Sequence, residues 1–287
     1  MSLMRQFRRY APIDFDAYRR FVVAGTHVGW IGPDFALNLA EFPHVFAVDE
    51  AAVTLQPRLE DFETRSDAIA QVLEVLRSRG RIPGWRNEFY PVGQGFHAPA
   101  LARMERAATP LFGLLTYGVN LNGFVGRGYG MSVWVARRAA SKQIDPGMLD
   151  MIVGGGQPTD VTPWDNLMKE CREEAGMSLD LARNARPASL ITLMFAAQEG
   201  LRIGLQFNYD LELPRDFVPR NTDGEVEEFQ LVPASELIEG FKAKDEFMLD
   251  AAVANLDFLI RHGLIGPDDP DYLSLIAHLR QPVPFAS

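Results

Sequence analysis

One segment constrains the architecture more than any other: a helix marked at both ends, set between a glycine run and strand-like sequence. Thr162 stands where a cap accepts the first free N–H groups, and Pro163 suits the first helical position. Asp165 complements the positive end of the helix dipole, and Gly176 marks the stop. At about 100° per residue, Trp164, Leu167, Met168, Cys171 and Ala175 form one apolar stripe. The same spacing gathers Glu170, Glu173 and Glu174 on an adjoining face. Such a stripe needs an apolar partner, and the flanking sequence offers strands for it. Residues 111–117, 121–125 and 132–136 lie before the helix, and 190–196 and 201–213 after it. The Gly and Asn residues between the first runs read as turns. Strands on both sides of a helix predict an α/β or α+β layer.

The rest of the chain is less sharply marked. Apolar residues at helical spacing predict a first helix over 13–24, with Asp14 as its cap. Residues 46–48 and 53–55 read as short strands. Ser66 is positioned to cap a helix over 66–78 that Gly80 ends, and Ile69, Val72, Leu73 and Leu76 line its inner face. An extended segment follows from Trp85, then a short helix over 100–107. Two further helices are expected at 245–262 and 272–279. The composition shifts near residues 105–110, which divides the chain into 1–109, 110–245 and a helical extension over 246–287.

With 28 Lys and Arg against 38 Asp and Glu, the net charge is −10. That balance argues against nucleic acid or an anionic membrane as a partner, and means that any phosphate ligand must be met by local cations or bound metal. No apolar run is long enough to span a bilayer, and residues 1–20 lack the apolar core of a secretory signal. The single Cys171 excludes an intramolecular disulfide and a multi-cysteine zinc site. It fits a reducing compartment, and the cytoplasm is the expected location. The oligomeric state is left open.

Three carboxylates at three- and four-residue spacing repel one another, so they do nothing for an isolated helix. A solvated acidic face is the common form of such a cluster. A divalent cation reverses the sign of the interaction: a hard ion takes carboxylate oxygens together with waters and phosphates, and can activate a water. The run Lys169-Glu-Cys-Arg-Glu-Glu-Ala-Gly-Met177, with Gly155 fourteen residues ahead of Lys169, resembles the Nudix box. The spacing holds throughout. Two positions differ, since the box's first Glu is Val161 here and its Arg is Lys169. The resemblance implies a Nudix α/β/α sandwich with an N-terminal α+β domain and C-terminal helices. It implies Mg²⁺ or Mn²⁺ held by Glu170, Glu173 and Glu174 with the Gly154 backbone. Glu170 and Glu174 take catalytic roles by the same analogy.

Upstream, Arg137-Arg138, Ser141-Lys142 and Pro146-Gly147 resemble a pattern that precedes the box in one subgroup, shared by isopentenyl-diphosphate isomerases. It implies diphosphate contacts from Arg138 and Lys142, beside Gly155. The isomerase's cysteine falls on Gly154, which argues against isomerase chemistry, and Cys171 reads as a buried small hydrophobe. Downstream, the acidic run Asp223 to Phe229 resembles the segment that returns to the metal in many Nudix proteins. Glu225 is the first choice for an extra ligand or general base, with Glu227 second by strand alternation. The five histidines lie outside this constellation.

Trp85-Arg-Asn-Glu-Phe-Tyr-Pro-Val, Met104 to Gly113 and Tyr117 to Val125 resemble Nudix proteins related to thiamine pyrophosphokinase. That resemblance implies a hydrolase of small diphosphates such as thiamine diphosphate or its oxidised analogues. The N-terminal half would select the organic group, and Trp30, Phe35, Trp85 and Tyr90 are candidates to stack on it. Two alternatives stand beside this reading: a nucleotide-sugar or ADP-ribose diphosphatase, and a non-catalytic diphosphate-binding module suggested by Val161 and Lys169.

Overall fold

The structure, a computed structural model, describes residues 2–285 apart from Ala11, Gln143 and Asp223. A short helix α1 (Arg5–Arg8) precedes strands β1 (Arg19–Val23) and β2 (Thr26–Ile31), helix α2 (Pro33–Ala40), strands β3 (Phe46–Val48) and β4 (Ala52–Leu55), and helix α3 (Phe62–Ser78). The strands form a sheet in the order β2-β1-β4-β3, with β1 and β4 parallel. Its core gathers Phe21, Val23 and Ile31 with Leu39, Ile69, Leu73, Leu76 and Phe112.

The helix expected over 13–24 is instead a single 3₁₀ turn, Phe15–Ala17, followed by β1. Asp14 does cap it, accepting from the Asp16 N–H at 3.2 Å. Phe21 and Val23 are buried and Val22 is half-buried, the period of two that a strand requires. The next helix begins one turn before Ser66. Asp61 and Thr64 form a reciprocal capping box at its start, and Ser66 lies inside it, its hydroxyl donating to Phe62 O at 2.6 Å.

Strands β5 (Phe89–Val92) and β6 (Ala102–Glu105) make a two-stranded unit. The short helix expected over 100–107 is therefore mostly strand: Ala102 and Met104 are buried while Arg103 faces solvent, and only Arg106–Ala108 coils into a 3₁₀ turn.

The larger sheet is built from β7 (Leu115–Val125), β8 (Ser132–Arg138), β9 (Leu149–Met151), β10 (Val153–Gly156), β11 (Arg186–Ala197), β12 (Gly200–Glu212) and β13 (Val226–Pro233). Its path runs β11-β12-β7-β8-β13, with β10 paired to β7 and β9 to β8. Of the two runs read as separate strands, 115–117 and 121–125 belong to one continuous β7, parallel to β12 over ten residue pairs, while 111–113 form a turn ahead of it.

Helix α4 (Pro163–Ala175) covers one face, inserting Leu167, Met168, Cys171 and Ala175 among Val119, Leu121, Val153 and Leu211. After the short α5 (Leu179–Ala182) and α6 (Ala234–Ala243), helix α7 (Leu249–Arg261) covers the other face against Phe124, Val135, Ile191 and Leu193. Helix α8 (Tyr272–Leu279) and Leu3 and Met4 from the start of the chain join that core. The result is the expected α/β/α sandwich. Among the described residues no helix is long and apolar enough to cross a membrane.

Candidate active site

Helix α4 is placed by its stripe and its ends. The Thr162 hydroxyl accepts from the Asp165 N–H at 3.1 Å, and Gly176 takes the left-handed conformation (φ 61°) that closes the helix. At this end Arg220 donates its N–H to Ala175 O at 3.0 Å, and the Thr222 hydroxyl bonds Glu173 O at 2.5 Å. Those bonds carry the chain from α4 toward Glu225.

With its apolar stripe against the sheet, α4 turns Glu170 and Glu174 toward β10. Glu174 accepts from the Gly154 N–H at 2.8 Å. Gly155 is in contact with Glu170: a Cβ there would lie 2.7 Å from the Glu170 carboxyl carbon. The glycine run thus provides room for a carboxylate and a backbone donor. Replacing Gly155 by alanine is therefore expected to push Glu170 aside and cut turnover at least about tenfold, with little change in melting temperature. Steady-state kinetics beside a melting curve checks this.

Burial holds the Glu174 carboxyl well above the usual carboxylate range. The Gly154 N–H opposes this, whereas the charges of Asp150, Glu170 and Glu225 add to it. Burial also raises Glu170, against the pull of Lys169. Lys169 lies 3.0 Å from both Glu170 and Glu173, so the lysine at the box's arginine position ties two of its carboxylates together.

Glu225 is ion-paired with Lys142. Burial acts upward on Glu225, but the Lys142 bond outweighs it and its carboxyl lies below the usual range. Arg138 donates to Asp150 at 2.7 Å and to Ile144 O at 2.9 Å. Both cations expected at phosphate thus stand beside the acidic cluster, engaged with its carboxylates. A β-bulge between Val226 and Glu228 breaks the alternation that put Glu227 on the same face as Glu225. Glu228 pairs instead with Arg137 at 3.0 Å, in the open. Asp223, the first residue of that acidic run, lies outside the described residues. Cys171 is fully buried and its thiol is pushed up to about 12 by burial, as a packing residue requires.

Sequence reasoning missed several groups. Asp150 stands between buried Leu149 and Met151, a charge within an apolar strand that could have been flagged. The Gln157 amide donates to Val161 O at 2.5 Å, and Asn166 donates to Gly156 O at 2.9 Å and to the Gln157 side chain at 3.2 Å. These bonds brace the loop where the box's first Glu is Val161. Nothing local marked Arg106, which with the stacking candidate Tyr90 packs onto Gly156: a Cβ there would lie 1.6 Å from the Tyr90 hydroxyl and 3.5 Å from the Arg106 guanidinium carbon. Of the other aromatic candidates, Phe35 packs on Phe112 in the core. Trp30 packs on Phe15 and donates to Pro284 O at 3.2 Å. Trp85 lines an approximately 370 Å³ cavity beside α3, under the Arg77 guanidinium.

The chemistry of the donor set suits a hard divalent ion, being oxygen-only and acidic, with Glu174 in ion-pair contact with no cation among the described residues. Among the described residues no three of these carboxylates are drawn together closely enough to hold an ion as they stand.

The chain is 40% identical over 269 residues to Nudix hydrolase 20, chloroplastic, of Arabidopsis thaliana, covering 91% of this chain and 72% of that protein. It belongs to the Nudix hydrolase family. Nudix hydrolase 24, chloroplastic, of the same plant is likewise 40% identical, over 262 residues, at the same coverage of both chains. An uncharacterized protein of Saccharomyces cerevisiae is 32% identical over 306 residues, covering 96% of this chain and 88% of its own. Residues 1–116 match a profile described as a domain of unknown function (DUF4743). Nudix hydrolases act on phosphoric anhydrides and generally use divalent metal cations.

Proposed function

We propose that this Nudix hydrolase uses Mg²⁺ or Mn²⁺ to cleave a small-molecule diphosphate, with thiamine diphosphate and its oxidised analogues as its substrate class. The observation that carries this reading is Glu174. It is a desolvated carboxyl group beside three other acidic groups, and among the described residues no cation is in ion-pair contact with it. Without a cation the carboxyl answers that burial by holding a proton, and a bound metal ion is what would allow it to ionise there.

Glu170, Glu173 and Glu174 would hold the metal, with the Gly154–Gly155 backbone beside them. When bound there, the ion supplies charge neutralisation for the diphosphate and acidifies a water. Gly154 fixes the direction of Glu174. Glu225, kept ionised by Lys142, orients the attacking water and accepts its proton. Lys142 and Arg138 are the cations nearest Glu225 and Asp150, and binding phosphate oxygens requires them to share those partners. Residues 1–109 are assigned to recognising the organic group. The reducing compartment that suits Cys171 is taken to be the cytoplasm.

The test is phosphate release across thiamine diphosphate, its oxidised analogues, ADP-ribose and nucleotide sugars, with Mg²⁺, with Mn²⁺ and with chelator. Turnover is expected for the thiamine compounds and only with metal. Turnover of ADP-ribose alone would move the substrate class, and metal-independent turnover would refute the mechanism. Because metal binding must displace the protons that Glu174 and Glu170 hold unusually firmly, the activity is expected to fall on acidification while ordinary carboxylates are still ionised. A pH profile of Mn²⁺ affinity checks this, and an acid limb at the ordinary carboxylate position would contradict it.

A further inference from the structure

We propose that Arg106, delivered from the N-terminal half by the β5–β6 unit, is a ligand for a phosphoryl oxygen of the diphosphate bound at helix α4. The inference rests on the hydrolase reading for its ligand, and on the following geometry for its residue.

Successive glycines of β10 each meet a different group. Gly154 donates to Glu174, Gly155 is covered by Glu170, and Gly156 is covered by Tyr90 with Arg106 behind it. One residue of strand therefore separates the acidic side of the site from a cation of another part of the chain. The contact is seated firmly: Tyr90 is buried, and Thr159 donates to Phe89 O at 3.4 Å, tying the loop before α4 to β5.

Arg106 is held from behind. Glu88 takes one of its donors at 2.8 Å, its own N–H donates to Glu88 O at 2.8 Å, and its guanidinium lies 5.6 Å from the Tyr90 ring centre. A guanidinium has five N–H donors, and among the described residues Glu88 is the only side-chain acceptor in hydrogen-bond contact with this one. The side chain is 44% exposed. Lys142, Arg138 and Lys169 are each bonded to a carboxylate of the cluster itself. Arg106 thus combines open donors, a fixed base and proximity to Glu170, whose charge it stabilises. A diphosphate placed against the glycine run would meet planar donors of the fork geometry that phosphate oxygens accept.

Calorimetric titration of inorganic pyrophosphate in the presence of Ca²⁺ into the full chain tests the assignment. Arg106→Ala is expected to weaken pyrophosphate binding about ten- to hundredfold, as loss of a charge-assisted hydrogen bond implies. Arg106→Lys is expected to recover part of that loss. Melting temperature and Mn²⁺ affinity without pyrophosphate are expected to hold, which separates a ligand contact from a structural role. Unchanged pyrophosphate affinity in Arg106→Ala, or a wild-type chain that does not bind pyrophosphate, would overturn the assignment. A wild-type chain that binds pyrophosphate through Arg106 yet turns over none of the diphosphate panel would instead count against the hydrolase reading alone.

Discussion

Glu174→Gln is expected to lower turnover by about three powers of ten or more, roughly 4 kcal/mol of transition-state stabilisation, while leaving the chain folded. The amide oxygen of glutamine still accepts the Gly154 N–H that Glu174 accepts at 2.8 Å, so the contact between α4 and β10 survives. What is lost is the charge that would bind metal. The same substitution is expected to stabilise the metal-free protein near neutral pH. Burial raises the Glu174 carboxyl, so the folded state holds a proton that the unfolded state has released. Between the ordinary carboxylate range and that raised value, the folded state of the wild type carries more protons. Its stability therefore falls as pH rises through this window. Glutamine has no proton to lose, and the variant's curve should be flatter there. Urea unfolding with chelator across pH, alongside turnover with Mg²⁺, checks both halves. A variant with near-normal turnover would remove Glu174 from the site, and one that is less stable than wild type throughout would show the carboxylate to be structural.

The parts of this site that were legible in the sequence are those whose cause is local. Helix α4 announces itself because Thr162, Pro163, Gly176 and the apolar stripe act within a few turns of each other, and the three glutamates follow from the helical period alone. Strand β7 reads as two runs because Gly118 and Asn120 look like turn residues, and Asn122 adds a further polar group inside the second run. Each answers to a distant partner instead. A Cβ on Gly118 would strike the Gln206 side chain at 2.1 Å, Asn120 donates to Asn208 at 3.0 Å, and Asn122 donates to Asn255 at 3.4 Å. Polar residues survive in a strand buried on both faces because their partners, 88 and 133 residues away, come with the fold. The segment over 13–24 misled for a related reason. Ile13, Phe15 and Tyr18 are apolar because they pack beside Leu115, Tyr117 and Ile203, so their spacing reflects a tertiary contact and imitates a helix. Lys169 and Val161 read as departures from the box, yet the structure gives Lys169 two glutamates to bridge and gives the Val161 loop a brace from Gln157. Arg106 had no pattern to betray it, since its position depends on how β5 and β6 meet the glycine run.

The largest loss of stability is expected far from the acidic face of α4, at Asp257. Its side chain is 1% exposed on helix α7 and gathers the Arg261 Nε at 2.7 Å, the Ser189 hydroxyl at 2.5 Å and the Arg280 guanidinium. Arg261 extends the cluster to Asp210 at 2.9 Å, and His262 reaches the same carboxylate at 3.0 Å. One carboxylate thereby ties strand β11, helix α7 and the chain after helix α8 together. Asp257→Ala leaves Arg261 with Asp210 as its remaining carboxylate and Arg280, 41% exposed, with none, for which the expected cost is about 2–3 kcal/mol once the open side of Arg280 is allowed for. For comparison, the exposed Arg127–Glu212 pair at 3.1 Å is worth at most about 1 kcal/mol. The pH dependence carries the opposite sign to that of Glu174. Burial acts upward on Asp257, but hydrogen bonds from Ser189, Arg261 and Arg280 outweigh it and hold its carboxyl below the usual range. Its contribution is complete above the unfolded-state value of an aspartate and disappears as pH falls through the lower folded-state value. Unfolding curves for wild type and Asp257→Ala are therefore expected to lie furthest apart near neutral pH and to converge in acid. A constant separation down to strong acid would mean that the lost stability came from packing and not from the carboxylate's charge.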